Sequence, residues 1–462
     1  MILLINKGVS WMNALRFAAV VLPIVFLIAC GTSETTLSVD TGPTTPLHSA
    51  AKNDEPEAVA LLLDRGADIE ARNEKGVTPL HFAAAHNKPE VVAFLLDRGA
   101  DIEARSKTGG TSLHFAAGYN EPEVVALLLD RGADIEALDE YGRTPLHFAS
   151  SYNKPEIATF LLDRGANIEA RNKQGVTPLH FAARDNEPEV VAFFLDRGAD
   201  IKARAELGLT PLHFAARSNE PEVVALLLDG GADVKARAEE FGLTPLHFAA
   251  GYNEPEVVAL LLDGGADVKS LTEEFGLTPL HFAARNNERE VVALLLDKGA
   301  NIESRDGVGS SQVSWGAVFA KAIGVMFLLS LEVLLPSRDE ERYYNSGISD
   351  REKKAGELLY SPVTFRPGGN TPLHLAAEHN NSEVVALLLD RGADINARTA
   401  FQSTPLHVAA RDNKPEVVAL LLDRGALIEV RNDADFTPLY YAERNEHLKG
   451  SSVLERLKVT QE

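Results

Sequence analysis

The stretch Asn73–Arg105, which reads NEKGVTPLHFAAAHNKPEVVAFLLDRGADIEAR, decides how this chain folds. Thr78 and Pro79 predict the start of a helix, because threonine caps helices and proline suits the first helical position. A second helix begins at Pro89, and its residues are apolar on nearly every side, so neighbouring elements must cover it. Gly99 supplies the cap that ends this second helix. The stretch therefore predicts two short helices joined by a turn and followed by an extended tip.

The tetrapeptide Thr-Pro-Leu-His in this stretch recurs along the chain at nearly constant spacing. Successive copies are 33 or 34 residues apart, except for one interval of 93 residues. A fixed period of about 20–50 residues indicates a stacked array of small units rather than separate globular domains. The threonine of each copy stands at position 45, 78, 111, 144, 177, 210, 244, 278, 371, 404 or 437, with variant copies at 111 and 437.

The pattern resembles the ankyrin repeat, which has T-P-L-H-x-A-A, then V-V-x-L-L-L, then D-x-G-A-D-I. This resemblance covers most of the chain and implies an all-α fold. It predicts an ankyrin-repeat solenoid of about eleven helix-turn-helix units of 33–34 residues, with β-turn or hairpin tips. The chain departs from the family mainly between the two helices, where Asn replaces the usual Gly. The resemblance also implies that ten motif histidines are framework residues linking the Thr hydroxyl to the neighbouring turn. They are His48, His81, His114, His147, His180, His213, His247, His281, His374 and His407.

Residues 1–29 are typical of a secretory signal peptide. The uncharged apolar run Phe17–Ala29 follows two basic residues and has 13 residues. It is too short to cross a bilayer, which takes about 20 residues. Met12 is an alternative start. The run ends at Cys30, the only cysteine, and Leu27–Gly31 resembles the lipobox of bacterial lipoproteins. A buried cysteine in an anchor helix is the alternative interpretation.

The lipobox resemblance implies that Cys30 carries a lipid and becomes the first residue of the mature chain. Residues 30–43 then form a lipidated, flexible Thr/Ser-rich tether. The expected location is the bacterial cell envelope, with the repeats facing the periplasm. Gly31 after the cysteine favours the outer membrane.

An insertion interrupts the array. The 93-residue interval leaves 60 extra residues between units 44–306 and units 370–462, and we place the insertion at 307–369. Within it, the apolar run Trp315–Leu335 is long enough to span a bilayer, but Lys321 and Glu332 would share one helix face. This favours a helix packed on the protein; a membrane span and an insertion without function are alternatives. The later units either stack on the first eight or form a separate block, with a degenerate last unit as a cap.

Composition and motifs exclude several function classes. The chain has 67 acidic and 45 basic residues, and this charge of −22 disfavours a nucleic-acid partner. A single cysteine excludes an internal disulfide and zinc sites that need two thiolates. No Gly-rich phosphate loop, nucleophile elbow or zincin pattern is present. We therefore expect no enzyme, no cofactor, no metal and no small-molecule substrate.

Another protein is the expected partner, because a solenoid presents an extended concave surface. In ankyrin proteins the first-helix ends and the tips line the recognition groove, and in this chain both sets vary between units. Tyr and Arg are favoured there as interface anchors, and the cluster Tyr119, Tyr141 and Tyr152 is the strongest candidate. The full predicted set is Tyr119, Tyr141, Tyr152, Arg184, Asp185, Arg217, Phe241, Tyr252, Phe275 and Arg285. The alternative is a mainly architectural envelope protein without a specific partner, in which these positions vary because they are solvated.

Overall fold

The computed structural model describes residues 44–307 and 368–458, apart from 87, 120–121, 153, 186–187, 219, 240, 253–254, 274, 287, 380 and 413–414. This part of the chain contains 22 short α-helices, one 3₁₀ turn at Glu206–Gly208 and no β-strand. Cys30 and the apolar run 315–335 lie outside the described residues, as do the nine asparagines predicted between the two helices of a unit.

The helices pair into eleven units, so that unit 1 holds α1 and α2 and unit 11 holds α21 and α22. Their bounds are α1 Pro46–Asn53, α2 Pro56–Asp64, α3 Pro79–Ala85, α4 Pro89–Asp97, α5 Ser112–Tyr119, α6 Pro122–Asp130, α7 Pro145–Ser151, α8 Pro155–Asp163, α9 Pro178–Asp185, α10 Pro188–Asp196, α11 Pro211–Ser218, α12 Pro221–Asp229, α13 Pro245–Tyr252, α14 Pro255–Asp263, α15 Pro279–Asn286, α16 Arg289–Asp297, α17 Pro372–Glu378, α18 Ser382–Asp390, α19 Pro405–Asp412, α20 Pro415–Asp423, α21 Pro438–Ala442 and α22 Ser452–Lys458. The predicted helix-turn-helix solenoid is confirmed.

The helix ends form where the sequence predicts them. Thr78 stands in an extended conformation (φ −96°, ψ 167°) directly before α3, and Pro79 is the first helical residue. Gly99 has φ +88° after α4, which is the left-handed conformation of a C-terminal cap. Asp54, which takes the place of the junction asparagine in unit 1, also has a positive φ of 62°. Each unit is therefore delimited by local sequence alone.

The units stack in two layers. First helices pack on first helices and second helices on second helices, and the first-helix layer is the more closely packed. Small buried residues such as Ala83 and Ala84 allow this close approach, whereas the second helices contribute larger buried residues such as Val91, Val92 and Leu95. The solenoid consequently curves with the first helices on the inner, concave side.

Backbone hydrogen bonds join successive tips. Lys107 N donates to Lys75 O at 2.9 Å, Glu140 N to Thr108 O at 3.0 Å, and the pattern repeats along the array. Two residues before the motif threonine, the described tips have a residue with positive φ, which is glycine at eight tips and Gln402 or Asp435 at the last two. At Gly109 an added Cβ would lie 2.6 Å from Glu140 N, so the neighbouring tip leaves no room there for a side chain.

Substitution of Gly109 by Ala should therefore destabilise the protein more than substitution of Gly132. Both glycines have positive φ, at +77° and +93°, so alanine costs about 1–2 kcal/mol of backbone strain at either place. Only at Gly109 does the new Cβ also meet a neighbouring backbone, which adds roughly 1–3 kcal/mol. Urea denaturation of the two variants measures the difference, and equal destabilisation would contradict the tip geometry.

The array is continuous across the insertion. His281 Nε2 lies 3.2 Å from Asn370 O, and Arg391 of unit 9 pairs with Asp297 of unit 8 at 2.7 Å. Asp394 N donates to Glu303 Oε1 at 2.8 Å, which is the contact made between adjacent units elsewhere. The three units after the insertion therefore stack on the first eight, as one of the two sequence-based alternatives holds.

The insertion interrupts a single tip turn, which begins at Asp306 and is completed by Asn370. Asp306 N donates to Asn370 O at 3.0 Å, and Gly369 N donates to Asp306 O at 3.1 Å. The Asp306 carboxylate accepts from Asn370 N at 2.6 Å and from Asn370 Nδ2 at 2.9 Å, so one turn closes over a sequence separation of 64. Gly307 N donates to Phe275 O and Gly368 O accepts from Ala400 N, which completes the tip ladder on both sides.

The helices just described are five to nine residues long. None of them is long and apolar enough to cross a bilayer. The predicted apolar segment 315–335 is not among them.

Candidate functional site

The ten motif histidines are framework residues, as the family resemblance implies. His81 is typical: Nδ1 accepts from Thr78 N at 3.2 Å and pairs with the Thr78 hydroxyl at 2.8 Å, while Nε2 donates to Gly110 O of the next unit at 3.1 Å. A carbonyl accepts only, which assigns the proton to Nε2 and makes the ring neutral. Burial lowers the pKa of His81 to about 4, since desolvation disfavours the imidazolium. These histidines join units and offer no free ring nitrogen.

The predicted partner-binding residues at first-helix ends form a row along the concave side. They occupy two adjacent positions of the repeat. Tyr119, Tyr152, Asp185 and Tyr252 share one position, and Arg184, Arg217 and Arg285 stand one residue earlier. The row runs through Tyr119, Tyr152, Arg184 with Asp185, Arg217, Tyr252 and Arg285. Its first members are aromatic and its later members are mainly arginines.

Tyr119 and Tyr152 contact each other in units 3 and 4. Their ring centroids are 5.3 Å apart, at an interplanar angle of 41°. Gly118 makes room for this pair, because a Cβ there would lie 3.2 Å from Tyr152 Cδ2. Tyr119 stays half-buried whereas Tyr152 is only 7% exposed. The pair is one continuous aromatic surface with one partly accessible ring.

Among the described residues, three buried polar atoms in this part of the row make no hydrogen bond of normal geometry. They are Tyr152 Oη, Ser151 Oγ and Arg184 Nη1. Ser151 lies close enough to the Asp185 carboxylate to lower its pKa, yet outside hydrogen-bond geometry. A buried polar atom without a partner destabilises a fold by about 1–3 kcal/mol. Buried polar groups are nearly always hydrogen-bonded, so three such atoms on adjacent units mark this part of the row as unusual.

Arg184 and Asp185 form an ion pair within the row. Arg184 Nε and Nη2 donate to the two Asp185 oxygens at 2.6 and 2.5 Å, and the guanidinium lies 4.7 Å from the Phe181 ring centroid. Burial nevertheless raises the pKa of the Asp185 carboxyl, with Arg184 opposing that shift. Burial, together with Tyr119, raises the pKa of Tyr152 above its ordinary value, so its hydroxyl keeps its proton and can donate. Together, Tyr152 and the Arg184–Asp185 pair present hydrogen-bond donors without a net charge.

The later arginines of the row are arranged differently. The Arg217 guanidinium lies 5.4 Å from the Tyr252 ring centroid, which is a cation–π distance. Arg285 Nε donates to His379 Nε2 at 3.2 Å, across the insertion from unit 8 to unit 9. Both arginines remain half-buried and accessible at the surface.

The predicted partner-binding residues at the tips have different surroundings from those at the first-helix ends. Phe241 and Phe275 are only 4% and 6% exposed, and their ring centroids are 6.3 Å apart, so these rings pack between adjacent tips. Tyr141 is half-buried, with its ring centroid 4.9 Å from the Arg143 guanidinium. The structure therefore places two tip rings inside the fold and joins only Tyr119 and Tyr152 of the predicted cluster directly.

Two features were not found from the sequence. The ion pair of Arg143 with Asp139 spans 2.7 Å and is almost completely buried at the tip of unit 4. Ser151 was also overlooked as a polar group of the row. The signal was present in the sequence, because no other unit has serine at the position of Ser151, as Ala85 and Gly118 of the two preceding units show.

Metal and small-molecule sites were sought over the same residues. Within the described ranges no group of three or more His, Cys, Asp and Glu side chains is placed to hold a metal ion. A depression between units 9 and 11, bordered by Glu378, His407, Arg411 and Tyr441, has a volume of about 30 Å³. That is room for about one water molecule.

Comparison with known proteins agrees with this architecture. Family models for ankyrin repeats match residues 15–106, 99–172, 166–238, 231–306 and 397–456 as three-copy arrays, and residues 368–400 as a single repeat. The human ASB11 ankyrin repeat domain is 29% identical, with a TM-score of 0.44, over 48% of this chain and 99% of that one. The ankyrin repeat domain of Bcl-3 is 31% identical, with a TM-score of 0.40, over 48% of this chain and 100% of that one. No curated protein matches the chain in a sequence search. With family models matched over most of its length, this chain belongs to the ankyrin repeat family.

Proposed function

We propose that this protein is a lipid-anchored ankyrin-repeat scaffold that binds another protein through the first-helix ends of units 3–8. The binding surface comprises Tyr119, Ser151, Tyr152, Arg184 with Asp185, Arg217, Tyr252 and Arg285. It is a shallow surface rather than a pocket, which suits a protein partner better than a small molecule. Tyr and Arg are also the residue types that most often anchor such contacts.

One observation carries this proposal. Tyr152 Oη, Ser151 Oγ and Arg184 Nη1 are buried on adjacent units, and none of them makes a hydrogen bond of normal geometry to the residues that the structure describes. The position of Ser151 varies between units, with Ala85 in unit 2 and Gly118 in unit 3, so a hydroxyl there is not needed for stacking. A partner that supplies hydrogen-bond acceptors would satisfy atoms that the free protein leaves without partners.

Substitution of Tyr152 by Phe separates binding from stability. The hydroxyl makes no hydrogen bond of normal geometry to the described residues, although Tyr119 lies close enough to raise its pKa, so its removal should change the melting temperature little. Loss of the hydrogen bond made to the partner should weaken binding by roughly three- to tenfold. Thermal denaturation and a titration with the partner identified by crosslinking provide the two measurements.

Tyr441→Phe is the matched control. The Tyr441 hydroxyl accepts from Asn432 Nδ2 at 3.0 Å, so its loss should destabilise the last unit by about 1 kcal/mol and leave partner binding unchanged. If Tyr152→Phe destabilised the protein while binding stayed the same, the hydroxyl would be structural and the proposed surface would be wrong.

The lipid anchor rests on the sequence around Cys30. A single cysteine directly follows a 13-residue apolar run, and its thiolate is the nucleophile that takes a lipid. Labelling of bacterial cells with an alkyne fatty acid should mark the wild-type protein and leave Cys30→Ser unlabelled. An unlabelled wild-type protein would reject the anchor, and with it the proposed location in the cell envelope, facing the periplasm from the outer membrane.

Partner identification distinguishes a scaffold from a purely architectural protein. A photo-crosslinking amino acid at Tyr119 reports the proposed surface, and one at Lys449, exposed in the last unit, serves as the control position. A discrete product formed only from position 119 supports a specific partner. No product from position 119 in the native envelope favours the architectural alternative.

A further inference from the structure

A second ladder of contacts runs along the outer edge of the array, and it is interrupted in the middle. In the early units a glutamate in the segment after the second helix accepts a hydrogen bond from a backbone N–H of the next unit. Glu70 Oε1 accepts from Asp101 N at 2.8 Å, and Glu103 Oε1 from Asp134 N at 2.8 Å. The same contact is made by Glu136, Glu169 and, across the insertion, Glu303.

Lysine replaces this glutamate in three consecutive units. Lys202, Lys235 and Lys269 hold the position, and all three are exposed. We call them the lysine row. The facing N–H groups belong to Asp233, Asp267 and Asn301, and none of the three donates to a partner among the residues the structure describes. The equivalent N–H groups of other units bind a carboxylate. In these three units a lysine takes the place of the glutamate that would supply it.

We propose that the lysine row binds an acidic peptide segment of a partner, whose carboxylates take the places of the missing glutamates. The protein's own contacts are the template, because the equivalent N–H groups bind a carboxylate at 2.7–2.8 Å in the other units. A lysine beside each free N–H adds a charge-assisted contact, which is stronger than a neutral one.

Each lysine of the row has an aspartate two residues before it. Asp200, Asp233 and Asp267 accept from Lys202 N, Lys235 N and Lys269 N at 2.9, 3.0 and 2.9 Å. Asp101 stands in the same relation to Glu103, with a distance of 3.0 Å, in a unit where the glutamate contact forms. The aspartate at this position is thus compatible with a second carboxylate nearby.

The spacing of the row defines the peptide. Packed helices lie about 8–10 Å apart, so consecutive lysines are separated by a similar distance along the array. Three residues of polyproline II chain make one turn of about 9 Å, which returns every third side chain to the same face. The matching segment therefore has this conformation and an acidic residue at every third position.

The test uses the full chain and a fluorescent peptide of four Gly-Ser-Glu repeats, with a Gly-Ser-Gln peptide as the uncharged probe. Fluorescence anisotropy should show saturable binding of the Glu peptide to the wild type, weakened by salt because the row is exposed. In the triple variant K202E/K235E/K269E, binding should fall by at least about tenfold. The new glutamates can accept from the free N–H groups, so the melting temperature should stay the same or rise. Binding would then be lost without loss of the fold.

A matched variant separates position from charge. K107E/K154E/K173E changes the net charge by the same amount at lysines outside the row, and it should keep the wild-type affinity. Three results would each overturn the proposal: no binding of the Glu peptide, equal binding of the Gln peptide, or equal loss in both triple variants. Binding to phosphatidylserine vesicles without binding to the Glu peptide would also overturn it. None of these outcomes touches the concave surface, which Tyr152→Phe tests separately.

Discussion

The free energy of unfolding should fall steeply as the pH is lowered from about 6.5 towards 4. Burial lowers the pKa of seven motif histidines to about 4 and that of His180 to about 3. In the unfolded chain each has a pKa of about 6.5. Between the two values the unfolded chain binds protons that the folded chain does not, so lower pH favours unfolding. From about pH 7.5 upwards both states are neutral at these residues and the effect vanishes.

The expected change in the free energy of unfolding is large because eight histidines have a similarly lowered pKa. One such histidine changes the free energy of unfolding by about 1.4 kcal/mol for each pH unit in this window. Summed over the eight, the change from pH 7 to pH 5 is on the order of 10 kcal/mol, comparable with the whole stability of an ordinary domain. Asp306 acts in the opposite direction, since burial raises its pKa to about 7 and its folded form gains a proton first. It offsets about one histidine.

Urea denaturation followed by circular dichroism at pH 7.5, 6.0 and 5.0 measures how the free energy of unfolding depends on pH. Potentiometry counts the protons that the chain takes up when it unfolds. Measurements end at pH 5 because ordinary carboxylates titrate below it. A variant without residues 140–172 lacks one complete unit and one motif histidine, His147, so it should take up about one proton fewer. A stability that is flat between pH 6.5 and 5 would contradict the neutral, buried histidine network.

Removal of the insertion should leave a folded and more stable solenoid. Deletion of residues 308–367 joins Gly307 to Gly368 and restores a 33-residue spacing between Thr278 and Thr371. The turn from Asp306 to Asn370 already has the hydrogen bonds of an uninterrupted tip. Closing a 60-residue loop corresponds to about six doublings of loop length, or roughly 3–4 kcal/mol of entropy that the direct connection does not lose. Urea denaturation should show a gain of that order.

The control deletion removes residues 306–365, which has the same length but takes away Asp306. The remaining turn has the right number of residues and lacks the carboxylate that accepts from Asn370 N and Nδ2. It should be clearly less stable than the first deletion. Equal stability of the two variants would contradict the role of the Asp306 carboxylate in the turn. Loss of cooperative folding in the first variant would show that the insertion contributes to the fold.

The repeat architecture was predictable because its determinants are local. Thr78, Pro79 and Gly99 set helix ends by backbone preferences that need no knowledge of distant residues. The histidine network followed from the family resemblance, because all ten histidines stand at the same position of the repeat and have the same role. The number of units and the place of the interruption required only the spacing of one tetrapeptide.

The composition of the binding surface was less predictable, because burial depends on the neighbouring units. Phe241 and Tyr119 both stand at variable positions, yet one ring packs against Phe275 and the other keeps an accessible face beside Tyr152. Ser151 was not singled out, since its unsatisfied hydroxyl is visible only once Tyr152 and Asp185 surround it.

The amino-acid sequence by itself determined the solenoid, its two-helix units and the lipobox-like segment at Cys30, because periodicity and capping act within a few residues. Only the tertiary structure decided that the array continues across the insertion, through the hydrogen bonds between Asp306 and Asn370. It alone showed which polar groups lack partners, both on the concave side and beside the lysine row. The reason is physical: a hydrogen bond between units depends on two residues brought together by stacking, and no single unit contains both.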